Sequence, residues 1–550
     1  SFRQSDKTDS FPALVPGCVH ADLLRNEAID DPYYSDNEQK QMWIGETDWV
    51  YSRQFQIERP FLDSDRIELK CEGIDTLATI KINGRLVGKT DNAFRTWRLD
   101  AKRLLRVGRN EIEVLFRSTI PHIKRQQKKR HLALSGAGHH RIDGSNHIRK
   151  SQSNYGWDWG PMCVTCGIWR DIRIEAIETA RLTSVRVTQD HRQRNSVGID
   201  VSVDAVLYES KSLLAEIVLK HGGEEITRQS LNLADGSGAR RITVTNPNYW
   251  WPNGLGDRSL YEVTVILFDA AKKELDRWSR SIGLRTVELV REPDKWGESF
   301  HFAVNGKPFF TKGANWIPAD TFVTRISSDW YRYLIESAAK ANMNMLRVWG
   351  GGIYEPDVFY ELCDEYGILV WQDFMFACSA YPVHDEQFVE SVKSEAIDNI
   401  VRLRHHPSMA MWCGNNEIEQ MHESVLSVSE EPSKMTWDDY KAVFDDLLPG
   451  LIKKLCPDLP YWPSSPHSPG DDRLDYNNPG VGDAHLWAVW HGRRPFEWYR
   501  TCEHRFNSEF GFQSFPEPSV VDGYTPEEER NIASYTMELH QRSGIGNDAI

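Results

Sequence analysis

The 550-residue sequence predicts a multidomain protein in which two β-sandwiches precede an α/β barrel. Through residues 1–293, short alternating runs rich in β-branched residues are separated by turns such as Asn83-Gly84 and Asp235-Gly236, a rhythm typical of antiparallel sandwiches. From about residue 295, predicted strands alternate with helical segments, as in parallel βαβ units. The chain is also too long for one ordinary hydrophobic core.

The sandwich region divides near residue 178. Residues 1–178 contain predicted strands at 49–57, 66–71, 78–82 and 111–116, with one short helix near 19–26. Residues 179–293 contain a second set of strands at 182–188, 197–207, 215–220, 241–245 and 261–268. A set of about 100 residues with this spacing suits an immunoglobulin-like sandwich.

Residues 294–550 form the predicted barrel region. Its seven strand candidates lie at 309–315, 343–349, 368–374, 409–413, 461–462, 484–491 and 505–510. A closed (β/α)8 (TIM) barrel needs an eighth strand, and after residue 510 we predict only a helix at 527–542. We therefore expect the barrel to be truncated before its eighth strand.

Two glutamates stand at the ends of predicted barrel strands. Glu417 follows the apolar run 409–413 through Gly-Asn-Asn, and Glu509 lies among aromatic and small residues. Catalytic groups of such barrels come from the carboxyl ends of the strands, and glycosidic bond cleavage requires two carboxylates. One such glutamate is equally well explained as a surface or salt-bridged residue, but the pair favours a glycosidase.

The charge and hydropathy of the chain limit its partners. It has 65 basic and 80 acidic residues, a formal net charge of −15, which disfavours nucleic acids and anionic membranes as partners. No apolar run reaches the roughly 18 residues of a membrane-spanning helix, so we expect a soluble protein. The sequence shows no initiator Met and no apolar signal core, which leaves cytoplasmic, periplasmic and lysosomal-type locations open.

The nine cysteines do not predict a disulfide framework, because they are scattered and odd in number. Cys163 and Cys166 are the only close pair. A zinc site would need a second pair or histidines at suitable spacing, so we interpret this pair as structural and expect no metal.

Several motifs resemble those of a known family, glycoside hydrolase family 2, and within it the β-mannosidases. The resemblance covers essentially the whole chain and implies a jelly-roll sandwich, an immunoglobulin-like domain and a (β/α)8 barrel. It rests on Pro16-Gly17-Cys18-Val19-His20, Trp43-Ile44-Gly45-Glu46, Asp48-Trp49, Gly156-Trp157-Asp158-Trp159-Gly160-Pro161, Lys312-Gly313-Ala314-Asn315-Trp316, Arg347-Val348-Trp349-Gly350-Gly351-Gly352, Trp371-Gln372-Asp373-Phe374 and residues 412–417.

The resemblance implies roles for three residues. Glu417 matches the general acid/base of the family, Glu509 its nucleophile, and Asn416 its contact to the sugar 2-hydroxyl. The implied reaction is hydrolysis with retention, which needs the carboxyl groups about 5–5.5 Å apart. We expect Glu417 to be protonated in the resting enzyme, because of burial and the nearby anionic nucleophile. No cofactor is implied.

The resemblance also implies further substrate contacts. Asp158 and Trp157 match a segment that reaches from the first β domain into the pocket. The simpler alternative is that Asp158 caps a turn and that Trp157 packs inside the sandwich. Asp373 and Trp349 resemble further pocket members. Trp490 and His491 end the strand before the nucleophile strand; a buried, hydrogen-bonded histidine is the alternative there.

The expected substrate is a terminal β-mannoside or manno-oligosaccharide. Gly-Asn-Asn-Glu before the acid/base favours mannosidases, because galactosidase and glucuronidase relatives usually read Gly-Asn-Glu and exo-glucosaminidases place Asp at that position. The alternatives are another β-glycosidase of the family and a non-catalytic carbohydrate-binding relative. The sequence does not indicate an oligomeric state.

Overall fold

A computed structural model describes residues 1–136, 140–208, 212–470 and 473–550. In its first part, an antiparallel five-stranded sheet faces a three-stranded sheet, and one hydrophobic cluster containing Tyr51, Ile80 and Leu69 lies between them. The strands, in spatial order, are Phe2–Gln4, Trp49–Ile57, Gly108–Phe116, Ala78–Ile82 and Arg85–Thr90 in one sheet, and Ile172–Ile177, Arg66–Cys71 and Trp97–Asp100 in the other.

Short helices surround this first sandwich. The predicted one is Val19–Arg25. Thr119–Lys129 was not predicted; its N-cap is Ser118, whose hydroxyl accepts a hydrogen bond from the Ile120 amide. The others are Asn37–Lys40, Trp43–Glu46 and Arg59–Leu62, and Ile74–Asp75 pairs with Gly167–Ile168 as a small ribbon.

The second part is a sandwich of antiparallel sheets of three and four strands. Alternate residues of both sheets, such as Val201 and Val265, are buried in one cluster, as their period of two requires. The strands are Ala180–Asp190, Ser196–Leu207 and Ser237–Thr245 in one sheet, and Glu224–Leu233, Leu213–His221, Tyr261–Phe268 and Glu274–Ile282 in the other.

A small antiparallel sheet leads from this sandwich into the α/β part. It consists of Val287–Val290, His301–Val304 and Lys307–Pro308. The adjoining Phe300 ring contacts Trp462 at 5.0 Å and Phe506 at 5.1 Å between ring centroids. This sheet therefore belongs to the same hydrophobic core as the parallel strands that follow.

Among the described residues of the α/β part, a parallel sheet of five strands and a parallel pair follow the chain in their spatial order, and a separate short parallel pair joins Leu426–Ser427 to Met435–Thr436. Predicted strand 409–413 is confirmed to the residue, whereas 309–315 is wrong at its start, because Phe310 is 82% exposed. The strands are Gly313–Trp316, Met345–Val348, Leu369–Asp373, Met409–Cys413 and Tyr461–Trp462, then Ala484–Leu486 and Asn507–Phe510.

Helices separate the first five of these strands, whereas the described residues between Tyr461–Trp462 and Asn507–Phe510 contain only a short 3-10 helix, Phe496–Thr501. The prediction of one continuous helix over 527–542 is wrong. The segment begins with a short 3-10 helix, Glu527–Glu529, and a separate helix begins after its N-cap, Ser534. The helices are Ser328–Lys340, Asp357–Tyr366, Glu386–Leu403, His422–Val425, Trp437–Lys441, Leu448–Leu455, Pro518–Tyr524, Tyr535–His540 and Gly546–Ala549. Among the described residues, no helix combines the length and apolar composition needed to cross a membrane.

A buried ion pair joins the first sandwich to the α/β part. Arg149 donates two hydrogen bonds to the carboxylate of Glu395, at 2.8 and 2.6 Å, and Asn92 and Tyr354 donate to the same carboxylate. The guanidinium also lies 4.1 Å from the centre of the Phe376 ring. Both charges are buried away from water, so each needs the other to offset the free-energy cost of its lost hydration.

We predict that Arg149→Leu lowers the free energy of unfolding by about 3–5 kcal/mol, because it leaves the Glu395 carboxylate buried without its cation. Chemical denaturation measures this loss. The double variant Arg149→Leu/Glu395→Leu should recover most of it, and Arg332→Leu, which breaks an exposed pair with Glu365, should leave the denaturation midpoint nearly unchanged. Equal losses for the single and double variants would contradict this assignment.

Candidate active site

Arg347 connects the carboxyl ends of several parallel strands. It lies in Met345–Val348, only 4% exposed, and donates hydrogen bonds of 2.7–2.9 Å to four side chains. Since parallel strands end at the same edge of a sheet, these side chains converge from different parts of the sequence. They are Asn315, Asp373, Asn416 and Glu509.

The guanidinium of Arg347 is the central positive charge of this edge. Burial by itself lowers its pKa, but Asp373 and Glu509 outweigh burial, and the net pKa is raised. Asp373 is fully buried and also accepts from the Trp371 indole and the Gly350 amide. Burial raises the pKa of Asp373, and Arg347 opposes that effect.

Glu417 has a left-handed backbone conformation, with φ of 61°, immediately after the strand Met409–Cys413 and its Gly-Asn-Asn turn. Such a conformation is unfavourable for a residue with a side chain and persists where surrounding contacts hold it. One carboxylate oxygen accepts from Gln420 at 2.9 Å and the other from the Cys378 thiol at 3.2 Å. The backbone and two neighbours therefore fix the direction of the carboxylate.

His485 lies between the two predicted catalytic glutamates. Its Nδ1 is 2.8 Å from Oε1 of Glu417 and 3.4 Å from Oε2 of Glu509. Burial raises the pKa of Glu417, but the hydrogen bond and charge of His485 outweigh burial and lower it. Burial and Glu509 were expected to keep Glu417 protonated, whereas His485, which was not predicted as a site residue, shifts the pKa of Glu417 in the opposite direction.

The two carboxylates are close together. One oxygen of Glu417, one oxygen of Glu509 and a nitrogen of His485 all lie within 4.8 Å of one another. An approach of this kind is near the roughly 5–5.5 Å between the carboxyl groups of retaining glycosidases and is shorter than the roughly 6.5–9.5 Å of inverting ones. Among the described residues, these three are also the one group whose ligand atoms are close enough to share a metal ion.

Eight of the nine predicted site residues line one open cavity of about 780 Å³. Trp157 and Asp158 reach it from the first sandwich, so the pocket has walls from two parts of the chain. The Trp157 ring meets Trp349 edge-on at 4.7 Å between centroids. The eight are Trp157, Asp158, Trp349, Asn416, Glu417, Trp490, His491 and Glu509.

The carboxyl of Asp158 lines the cavity and is influenced by the charges of Glu417 and Glu509. Burial raises the pKa of its carboxyl; His491, whose Nε2 lies 3.9 Å from Oδ2, opposes this, while Glu417 and Glu509 add to it. A partly buried carboxylate of this kind is suited to accept hydrogen bonds from neutral hydroxyl groups.

Three predictions differ from the structure in detail. Asp373 does not line the cavity, because it lies behind Arg347. Trp490 and His491 do not end a strand: the strand stops at Leu486, and both residues lie in the turn beyond it. His491 is not a buried histidine, since about half of its side chain is exposed.

Arg347, His485 and Trp487 were not predicted as site residues. Trp487 lines the cavity, Arg347 contacts Glu509, and His485 contacts both predicted catalytic glutamates. An arginine and a histidine inside short buried strands were the available signal, because an unpaired charge is costly there.

Comparison with known protein families identifies the first two parts of the chain. Residues 1–170 match the family model described as "Glycosyl hydrolase 2 galactose-binding domain-like". Residues 180–285 match the model described as "Glycosyl hydrolases family 2".

Individual relatives cover the rest of the chain. "Beta-mannosidase B" of Aspergillus clavatus is 37% identical over 99% of this chain and 65% of its own length, and that of Aspergillus fumigatus is 38% identical with the same coverage. The crystal structure of a β-D-mannosidase from Dictyoglomus thermophilum is 39% identical, with a TM-score of 0.92 over 100% of this chain and 66% of its own. The chain thus spans about two thirds of the length of these relatives.

More distant structures share the fold. The exo-chitosanase CsxA of Amycolatopsis orientalis is 18% identical, with a TM-score of 0.72 over 96% of this chain and 60% of its own.

Proposed function

We infer from these matches that the chain belongs to glycoside hydrolase family 2, and we propose that it is the catalytic part of a β-mannosidase. The reaction is release of terminal, non-reducing β-D-mannose from β-mannosides and manno-oligosaccharides by double displacement. The proposal rests on one observation above all: Glu417 and Glu509 face the same cavity with oxygens within 4.8 Å of each other. That separation suits retention.

Glu509 is the proposed nucleophile. Arg347 donates to its Oε2 at 2.7 Å and so holds the carboxylate in place at the edge of the cavity. The carboxylate adds to the anomeric carbon while the glycosidic bond breaks, which gives a covalent glycosyl-enzyme.

Glu417 is the proposed acid and then base. It gives a proton to the departing oxygen in the first step and takes one from the attacking water in the second, which releases mannose. Its fixed carboxylate and left-handed backbone keep one oxygen aimed at the cavity with little reorganisation.

Asn416, Asp158 and Trp157 are the proposed sugar contacts. The Asn416 amide oxygen accepts from Arg347, which leaves an Nδ2 hydrogen for a sugar hydroxyl besides the one directed at the Cys378 sulfur. We assign the mannose preference to these residues with Trp349, Trp490 and His491, and the names of the relatives support it. Asp373 is proposed to act by holding Arg347.

The finer architecture is part of the same proposal. The five-stranded parallel sheet and the parallel pair of Ala484–Leu486 with Asn507–Phe510, which follow one another in chain order, support a (β/α)8 barrel spanning 294–550. The two sandwiches support a jelly roll over 1–178 and an immunoglobulin-like domain over 179–293.

We predict that the full-length protein encoded by the gene hydrolyses 4-nitrophenyl β-D-mannoside in preference to the matching β-galactoside, β-glucuronide and β-glucosaminide. Glu509→Ala should lower kcat by about 1000-fold or more, because attack then lacks its nucleophile. Preference for another β-glycoside would keep the reaction and overturn the sugar. Absence of turnover from the folded protein would favour a carbohydrate-binding function instead.

We predict that Glu417→Gln slows hydrolysis according to the leaving group. Loss of the acid should cost about 100- to 10,000-fold for an alkyl or sugar β-mannoside, and far less in the glycosylation step for 2,4-dinitrophenyl β-mannoside, whose phenolate needs no proton. Pre-steady-state kinetics separates the two steps. The matched control is Glu419→Gln, two residues along and bound to His467 and Arg473 outside the cavity. Equal losses on both substrates would exclude Glu417 as the acid.

A further inference from the structure

We propose that His485 is a positioning residue that shares a single proton with Glu417, and that Ser465 and Asp483 determine which imidazole nitrogen takes part. This inference rests on the proposed function, since it concerns how the acid of that reaction is supplied with its proton. It follows from the hydrogen bonds on both sides of the imidazole ring.

Asp483 acts as an acceptor for four donors. The Trp462 indole and the His467 amide donate to Oδ1, at 2.8 and 2.9 Å. The hydroxyls of Ser465 and Ser508 donate to Oδ2, at 2.7 and 2.5 Å. A serine hydroxyl has one proton to donate, and Ser465 donates it to the Asp483 carboxylate.

We therefore assign Ser465 as the acceptor from His485, because its contact with Asp483 Oδ2, at 2.7 Å, is shorter than its contact with His485 Nε2, at 2.9 Å. Its oxygen lies 2.9 Å from Nε2, and its own proton is directed at Asp483. Nε2 accordingly carries hydrogen in both the neutral and the charged imidazole, and Nδ1 is the nitrogen that gains or loses a proton. The strand Ala484–Leu486 directs that nitrogen at the catalytic pair.

The proton on Nδ1 can cross one short contact. Nδ1 lies 2.8 Å from Oε1 of Glu417, so breaking the Nδ1–H bond and forming Oε1–H converts imidazolium and carboxylate into imidazole and carboxylic acid. The total charge of the pair is unchanged. Oε2 of Glu509 lies 3.4 Å from the same nitrogen and takes no part in this transfer.

The electrostatics of the pair agree with a shared proton. Burial lowers the pKa of His485, but Glu509 and Glu417 outweigh burial and raise it, whereas Glu417 is shifted downward. The acid is therefore the coupled pair of Glu417 and His485, and its titration does not belong to one residue alone. The other titratable or charged groups around the pair are Arg347, Asp373, Asp158, Cys378 and Asp483.

The Glu417–His485 pair holds the same number of protons before and after one catalytic cycle. The pair starts with one proton, and Glu417 passes it to the departing oxygen while Glu509 forms the ester. The pair, now without that proton, accepts one from the attacking water as the ester bond breaks. The free state is then restored with Glu509 anionic and one proton between Glu417 and His485.

The test is the pH profile of kcat/KM for His485→Asn in the full-length protein. The basic limb of the parent protein should lie above the ordinary imidazole pKa of about 6.5. In the variant it should move down by about one pH unit or more, because a carboxyl alone then holds the proton. The matched control is His467→Asn, which removes another buried imidazole, 2.8 Å from Glu419, and should leave the limb in place.

A purely structural role would lower kcat without moving the limb, and that result would overturn the proposal. If another β-glycoside is the substrate, the proposed function fails and the same profile on that glycoside still decides the inference. If no glycoside is hydrolysed, ¹⁵N-histidine NMR decides it, with the signal assigned by its loss in His485→Asn. We expect an Nε2–H imidazole whose pKa falls in Glu417→Gln; an unchanged pKa would exclude a shared proton.

Discussion

The buried cation of Arg347 is the constraint on which the site depends. Glu509 and Asp373 lie on different strands, and without a cation between them they would repel each other at low dielectric and take up protons. The guanidinium satisfies both, and its planar fork also reaches the amides of Asn315 and Asn416. A lysine, with one charged centre, could not connect four strand ends in this way.

Much of the fold follows from the sequence, because apolar periodicity and turn residues are local signals. Met409–Cys413 and Tyr261–Phe268 were predicted to the residue, and both are strongly apolar. Glu224–Leu233 was missed because this strand lies at a sheet edge and is mostly polar and exposed. Predicted strand 484–491 was too long because aromatic residues that line a pocket and aromatic residues of a strand look alike in sequence.

The site was predictable where a residue stands at a strand end, and less so where its role depends on a distant partner. Glu417 and Glu509 could be predicted as a pair, because both stand at the ends of predicted strands, and the structure brings them to one cavity. His485 has its role because it contacts Glu417 and Glu509, which are 68 and 24 positions away in the sequence, and no local sequence pattern predicts such a contact. Asp373 was assigned to the right edge of the sheet, but only the structure shows Arg347 in front of it.

The central claim is that Glu509 forms a covalent bond to the sugar while Glu417 and His485 supply the proton. The most direct measurement is peptide mass spectrometry after reaction with 2-deoxy-2-fluoro-β-D-mannosyl fluoride. The 2-fluorine destabilises the oxocarbenium-like transition states, and the fluoride leaving group keeps the first step accessible, so the intermediate accumulates. The account predicts one added fluoromannosyl group, on Glu509. A label on another residue would contradict it. So would a protein that stays unlabelled at saturating reagent and still hydrolyses the mannoside.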